Sequence, residues 1–167
     1  MTAEQVYAWI LGTPLSHFMV NDAWAFTLSE TLHFVGLCVL LGAMLVVDLR
    51  LLGLMKSTPV DVALNFLPVA IFGFTINFVT GVTFFFSNPK GYATNWMFWL
   101  KMSLIILAGL NALYFTLFEQ PRVLRTPEGQ SFDTQTRVAA TLSLLIWVAV
   151  IVAGRLLPVT QGEAGTG

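Results

Sequence analysis

The sequence predicts an all-α membrane protein, a bundle of four transmembrane helices with a short N-terminal interfacial helix. Two observations lead to this fold class. Of the 167 residues, 56% are hydrophobic and only 10% are charged, whereas soluble domains average about 25% charged residues. The apolar residues also fall into four runs, each long enough to cross a hydrocarbon core about 30 Å thick. Most side chains are therefore expected to face lipid or another helix.

The first 22 residues are too apolar for a free tail. The apolar side chains of residues 6–11 fall on one face of a short helix, and Thr13-Pro14 ends that helix and starts a further turn. Residues 1–22 are therefore predicted to be a helical segment. It either lies on the membrane–water boundary or folds over the mouth of the bundle.

Four spans follow, separated by polar breaks. Residues 57–59 (Ser-Thr-Pro) followed by Asp61 are typical of a helix N-terminus, and residues 88–91 form a turn cluster. We predict one four-helix transmembrane domain over residues 23–158 and a disordered C-terminal tail over residues 159–167. The predicted spans are residues 24–47, 64–86, 96–118 and 138–157.

The basic residues predict the topology. Five of the eight lysines and arginines fall in or beside the loops after spans one and three, which lie on the same side of the membrane. The loop between spans two and three holds only Lys90, and the N-terminal tail has no basic side chain. The positive-inside rule then places both termini outside. The five residues are Arg50, Lys56, Arg122, Arg125 and Arg137.

Glu30 and His33 are the most informative pair in the chain. Ionisable groups at membrane depth are costly, so they usually pair, line a cavity or hold a cofactor. These two are three residues apart, which places both side chains on one helix face. Asn77 and Lys101 fall in the same half of the bundle, at depths of roughly 8–15 Å below its outer end. The sequence therefore predicts a polar site in the outer half of the bundle.

Structural interpretations stand beside the functional one. Glu30 and Lys101 are predicted to neutralise each other as an ion pair inside the bundle. Lys101 and Arg155 are also shallow enough to extend to the outer interface, and Asn77 can join two helices through its amide. His33 differs from these, because Glu30 satisfies only one ring nitrogen. The other nitrogen remains for a ligand, a metal or a proton.

Glycines indicate where another group can approach these helices. Gly73, Asn77 and Gly81 form a stripe at four-residue intervals, and Gly36 follows His33 by one turn. Such stripes most often admit a neighbouring helix, but a flat cofactor needs the same clearance beside a ligating histidine. We therefore predict a haem b site with His33 as its metal ligand. The other members of this candidate site are Glu30, Gly36, Gly73, Asn77, Gly81 and Met102.

Three strings of the sequence resemble a known family. They are ETLHFVGLCVLLGAMLVVDLRLLG (30–53), LKMSLIILAGLNAL (100–113) and RVAATLSLLIWVAVIVAGR (137–155). The family comprises short bacterial four-helix integral membrane proteins of undefined function, sometimes labelled by analogy with b-type cytochromes or copper-resistance membrane proteins. The resemblance implies four spans and a haem-ligating role for His33. The predicted location is the inner (cell) membrane of a bacterium.

The second axial ligand of such a haem is left open. Members of that family often carry a histidine shortly after the Asn-Ala-Leu of span three, where this chain reads Tyr-Phe-Thr at residues 114–116. Those positions lie near the inner face, so a histidine there would be too far from His33 to share one iron. The alternatives at the right depth are Met102, Met97, a retracting His17, or His33 of a second copy in a symmetric dimer.

Polar residues at the inner face are expected to be structural. Asp48 and Arg50 are two residues apart and do not face each other on a helix. We expect Asp48 to pair instead with Arg122 or Arg125, which would clamp the inner ends of the helices. Cys38 is the only cysteine, so no intramolecular disulfide can form.

Composition and motifs exclude several classes of function. The net charge of −1 gives no electrostatic reason for a nucleic-acid partner. Phosphate-loop, zinc-helix and serine-nucleophile patterns are absent from the sequence. A free-standing hydrolase or transferase is therefore not expected.

Three functions remain. The first is a membrane redox subunit, either a haem b carrier or a quinone-facing anchor for a periplasmic oxidoreductase. The second is a non-catalytic accessory or anchor subunit of a larger complex. The third is a small transporter or proton path, for which the inner half offers only Asn111 as a further large polar group. The expected partners are the lipid bilayer and either further copies of the chain or other membrane or periplasmic subunits.

Overall fold

A computed structural model describes residues 2–127 and 130–163, and these ranges contain helices and connecting turns but no strand. A π-helical turn, Phe115–Glu119, joins α7 to α8. The α-helices are α1 (Ala3–Leu11), α2 (Pro14–Asn21), α3 (Ala23–Leu51), α4 (Val60–Leu64), α5 (Leu67–Ser87), α6 (Pro89–Ala93), α7 (Trp96–Tyr114), α8 (Gln120–Val123) and α9 (Thr134–Glu163).

Among the residues that the structure describes, four helical stretches are long and apolar enough to cross a membrane, which confirms the predicted four-helix membrane bundle. They extend beyond the purely apolar runs because backbone hydrogen bonding continues through polar residues at the helix ends. The chain is therefore a multi-pass membrane protein. The stretches are Ala23–Leu51, Val60–Ser87, Trp96–Val123 and Thr134–Thr160.

The last helix is longer than the sequence predicts. α9 continues to Glu163, into the segment that we predicted as a disordered tail. Pro158 lies inside the helix and provides no N–H for its ladder. A residue outside the helix stabilises its end, because Asn95 Nδ2, at the start of α7, donates to Thr160 Oγ1 at 2.9 Å. Residues 164–167, the rest of the predicted tail, lie outside the described residues.

The N-terminal segment is helical and folds back onto the bundle. α1 begins with a capping box between Thr2 and Gln5, and α2 begins with Thr13 as its N-cap. α2 packs against α5 and α3, and α1 packs against α6. An exposed ion pair between Lys90 Nζ and Glu4 Oε1, 2.8 Å apart, joins α1 to α6. The two short helices therefore cover one end of the bundle.

The spans are arranged as two helical hairpins. α3 packs along α5 and α7 packs along α9, and the two hairpins meet mainly where α3 contacts α9. α5 and α7 are not packed along each other, although Phe85 of α5 and Phe98 of α7 stack at a ring-centroid distance of 5.8 Å near the terminal end. We call the end of the bundle with α1, α2 and α6 the terminal end, and the end with residues 52–59, 124–127 and 130–133 the loop end.

The largest buried apolar cluster lies at the loop end, where all four spans contribute to it. Large apolar side chains elsewhere on the spans point outward, as contact with lipid requires; Ile71 and Ile106 are 66% and 63% exposed. The members of the loop-end cluster are Val47, Leu51, Leu64, Phe115, Val123, Phe132 and Ala140.

Arg50 fastens the loop that follows α3. Its Nε donates to Thr58 O at 2.5 Å, and its guanidinium carbon lies 5.0 Å from the centre of the Phe132 ring. Gly53 has a φ of 81°, a left-handed conformation that glycine adopts without strain, and it turns the chain out of α3. The Arg50 guanidinium thus interacts with the backbone of Thr58 and with the ring of Phe132.

Candidate functional site

His33 forms a hydrogen bond with the neighbouring helix α5 rather than with a residue of its own helix, α3. Its Nδ1 lies 2.7 Å from Thr80 Oγ1 on α5. The Thr80 hydroxyl also lies 2.7 Å from Ile76 O. A hydroxyl has one proton, and a carbonyl oxygen can only accept, so Thr80 donates to Ile76 and accepts from His33. This assigns the ring proton to Nδ1 and leaves Nε2 with its lone pair.

Glu30 does not have the role that we predicted for it. Its side chain is exposed, whereas His33 is half-buried and packs against the Phe84 ring at a centroid distance of 5.3 Å. Thr80 replaces Glu30 as the partner of Nδ1 because a short hydroxyl on the closely packed α5 reaches the ring. Glu30 instead acts at long range on Tyr92, whose pKa is raised above its ordinary value by burial and by the Glu30 charge.

The predicted ion pair between Glu30 and Lys101 is not formed. In the part of the chain that the structure describes, the salt bridges are Lys90–Glu4 and Arg122–Glu119. The Lys101 ammonium lies against Gly154 of α9, with Nζ 3.4 Å from the point that a Cβ on this glycine would occupy. It is also close enough to His33 for its charge to act on the ring.

Two of the glycines serve helix packing. A Cβ on Gly73 would lie 2.6 Å from Leu40 N and 2.8 Å from Gly36 O. A Cβ on Gly36 would meet Ile76 Cγ2 at 2.9 Å and Gly73 O at 3.0 Å. The backbones of α3 and α5 therefore fill the space at these two glycines. Gly81 differs, because no atom lies within 4 Å of its added Cβ.

Asn77 of α5 also packs at the contact between Gly36 and Gly73. Its Nδ2 donates to Gly73 O at 3.0 Å within the helix, and a Cβ on Gly36 would lie 3.0 Å from this nitrogen. Its Oδ1 is buried without a hydrogen-bond partner. Asn77 thus packs at the α3–α5 interface, as the structural interpretation predicted, and retains one unused acceptor.

The candidates for a second axial ligand are dispersed. Met97 is 5% exposed and packs with Ala153 and Leu157 in a core cluster at the terminal end. Met102 is half-buried on α7, and His17 is exposed on α2. Over residues 2–127 and 130–163, no three His, Cys, Asp or Glu side chains form a group that could hold a metal ion.

The loop end differs from the prediction, because Asp48 is not paired with Arg122 or Arg125. Arg122 NH1 instead donates to Glu119 Oε1 at 3.0 Å and to Gln135 Oε1 at 2.9 Å. Asp48 is 2% exposed, and its Oδ2 has no hydrogen-bond partner. The carboxylate that clamps this end is therefore Glu119.

Glu119 was missed by the sequence reasoning. It is fully buried at the end of the π-helical turn. Thr136 Oγ1 of α9 donates to its Oε2 at 2.6 Å, and Tyr114 donates to its Oε1 at 3.2 Å. The only signal in the sequence was an acid directly before Gln120-Pro121, which resembles an ordinary solvated helix end.

A cavity of about 220 Å³ lies between the four spans in the loop-end half of the bundle. Its wall is mostly apolar and includes Leu40, Met44 and Phe115. Its volume exceeds that of a single water, which occupies about 30 Å³ in the liquid. The polar residues in its wall are Asp48, Asn111, Thr116, Ser143 and Trp147.

Comparison with known proteins identifies one relationship. The model of a family of unknown function, DUF6644, matches residues 19–160, which covers all four spans and both sites described above. No curated protein and no solved structure matches the chain.

Proposed function

The chain belongs to the DUF6644 family, whose function is unknown, and we propose from its polar site that it is a membrane redox subunit that carries a b-type haem on His33. Its partner would be an oxidoreductase on the side of the membrane where the chain termini lie. The observation that carries this proposal is the hydrogen bond from His33 Nδ1 to Thr80 Oγ1.

That hydrogen bond gives His33 the arrangement of a ligating histidine. Histidines that bind a metal through one ring nitrogen usually donate the other N–H to an oxygen, which fixes the tautomer and the ring plane. Thr80 does this for His33, and Thr80 is itself held by Ile76 O at 2.7 Å. Nε2 is therefore the nitrogen available to iron, and a bound haem would supply one-electron chemistry.

The surroundings of His33 limit where a porphyrin can lie. Gly36 and Gly73 are excluded, because backbone atoms fill the space beside them. Gly81 follows Thr80 directly and has open space beside it. Lys101 is in no ion pair within residues 2–127 and 130–160, so its ammonium is available to a haem propionate.

The proposed second ligand is Met102 or a residue from outside the chain. The sequence has only two histidines, and His17 is exposed on α2. Met97 is packed in the core at the terminal end. Met102 within the chain, His33 of a second copy, or a histidine of another subunit can complete the iron coordination.

The proposed location is the inner membrane of a bacterium, with both termini outside. The support is the excess of basic residues around the two loops at the loop end. Reporter fusions at residues 57, 90, 125 and 165 should then read inside, outside, inside and outside. An inside reading at residue 165 would contradict this orientation.

An absorption spectrum tests the haem directly. Protein purified from haem-supplemented cells should show a Soret band and a b-type α band on reduction. His33→Ala should abolish both bands while the circular dichroism of the helices is kept. His17→Ala is the matched control and should leave both bands. A well-folded wild-type protein without a Soret band would refute the haem proposal.

A second candidate is a non-catalytic accessory or anchor subunit. The observation that favours it is the contact at Gly36 and Gly73, which uses two glycines of the predicted cofactor site for helix packing. A colourless protein that copurifies in fixed stoichiometry with a membrane oxidoreductase, with or without His33, would support this alternative.

A further inference from the structure

The loop-end cavity presents hydrogen-bond acceptors in excess. Asp48 is 2% exposed, and its Oδ2 has no partner. Asn111 Nδ2 donates to Ala139 O at 3.0 Å, which leaves the amide oxygen as an acceptor. Thr116 Oγ1 donates its only proton to Ala112 O at 2.9 Å. The wall also includes Ser143 and Trp147, which carry donors, but Asp48 Oδ2 remains without a partner. A ligand that satisfies this oxygen must bring a donor.

The wall of the cavity contains a carboxyl group but no basic residue. Arg50, which is close in sequence, is held by Thr58 O and Phe132. Arg122 is held by Glu119. A buried carboxyl group without a countercharge ionises only at a cost, and a bound cation with its own donors would remove that cost.

The size and the wall of the cavity restrict that cation. Its volume of about 220 Å³ lies below the about 300 Å³ at which sites for drug-sized ligands begin. Trp147 adds an aromatic surface, which favours organic cations. We propose that this cavity binds a small organic ammonium ion with an apolar body, which donates its N–H groups to Asp48 and Asn111.

The ligand has a route from the bilayer. α5 and α7 touch through Phe85 and Phe98 near the terminal end but are not packed along each other, and both contribute to the wall in the loop-end half. Ile71 and Phe74 of α5 line the cavity and are 66% and 36% exposed. On α7, Gly109 lines it and has no atom within 4 Å of an added Cβ. An amphiphilic amine in the membrane can thus reach Asp48 between these two helices. This site is independent of His33 and of the haem proposal.

Calorimetric titration tests the proposal. Phenethylammonium is added to the full chain in lipid nanodiscs, with empty nanodiscs as the blank. We expect saturable binding at one site per chain. Asp48→Asn keeps the side-chain shape and removes the charge, so affinity should fall at least tenfold. The matched control is Asp61→Asn, an exposed acid on α4, which should bind like the wild type.

A steric pair of variants tests the location. Gly109→Leu places a side chain at the cavity wall and should reduce affinity at least tenfold. Gly42→Leu is the control, because Gly42 is exposed on α3, is absent from the wall and has no atom within 4 Å of an added Cβ. Both glycines have open space, so both variants should fold.

Three results would overturn the proposal. One is a titration of phenethylammonium in which the chain gives no saturable heat of binding beyond the heat measured with empty nanodiscs. Another is equal affinity of the wild type and Asp48→Asn for phenethylammonium. The third is equal affinity for 2-phenylethanol, which has nearly the same shape but no charge.

Discussion

Two buried carboxyl groups near the loop end have opposite surroundings. Glu119 is 0% exposed and accepts hydrogen bonds from Thr136, Arg122 and Tyr114 at 2.6, 3.0 and 3.2 Å. Asp48 is 2% exposed, and its Oδ2 has no hydrogen-bond partner. Burial alone therefore does not distinguish a structural acid from one that can bind a ligand. The two kinds of acid are distinguished by how many of their carboxyl oxygens accept hydrogen bonds.

The backbone explains the difference between the two groups. Glu119 ends the π-helical turn, whose wider spacing departs from the regular helix and is frequent at functional or specialised positions. There its carboxylate meets Thr136 on the neighbouring α9. Asp48 lies in a regular part of α3 and lines the cavity. Ser143 of α9 is within reach of its carboxyl group, but Oδ2 has no partner.

The largest effect on stability is expected for Glu119→Leu. The substitution removes an acceptor of charged character and leaves the buried Thr136 hydroxyl without its partner. Each such loss costs about 1–3 kcal/mol, so we expect the free energy of unfolding to fall by about 3 kcal/mol. Denaturant unfolding in detergent micelles measures it. Glu119→Gln, which keeps the shape and an acceptor, should lose less, and a loss below about 1 kcal/mol for Glu119→Leu would contradict the structural role.

A smaller loss is expected for Thr80→Val, which removes a buried hydroxyl that donates to Ile76 O and accepts from His33. Thr80 is 4% exposed and accepts from His33, and a typical hydrogen bond contributes about 1 kcal/mol. Thr75→Val on the same helix is the control, because Thr75 is exposed and its hydroxyl bonds only Ile71 O. Equal stabilities of the two variants would show that the bond between Thr80 and His33 contributes nothing.

The smallest effect on stability is expected for Asp48→Asn. This change removes a carboxyl group whose ionisation is costly in a buried site and adds an amide donor beside unsatisfied acceptors. We expect a gain of less than about 1 kcal/mol, measured by the same unfolding experiment. A loss as large as that of Glu119→Leu would show that Asp48 has a structural partner, and the contrast between the two acids would fail.

Hydropathy and turn residues were sufficient to predict the four spans and the helical character of the first 22 residues. The partners of the polar groups were harder to predict. Whether His33 meets Glu30 on its own helix or Thr80 on α5 depends on how the two helices are rotated against each other. The glycines set that rotation through the contact of Gly36 with Gly73, and the sequence allowed two uses for these glycines.

The same limit applies at the loop end. A basic residue was expected beside Asp48, because charges at membrane boundaries usually pair. Arg122 pairs with Glu119 instead, because the π-helical turn places Glu119 Oε1 3.0 Å from Arg122 NH1. A local change of helix type has no hydropathy signature, so neither the Glu119 contacts nor the missing partner of Asp48 was predictable from the pattern.

The pairing of the spans into two hairpins also suggests an order of biogenesis. The first hairpin is built from consecutive segments, α3 and α5, whose backbones touch at Gly36 and Gly73. It can therefore pack in the membrane while the second half is still being synthesised. The second hairpin then docks mainly through α9 on α3. Because the cavity beside Asp48 has walls from both hairpins, it forms only at this last step. Weakening the docking should leave two inserted hairpins with no cavity between them.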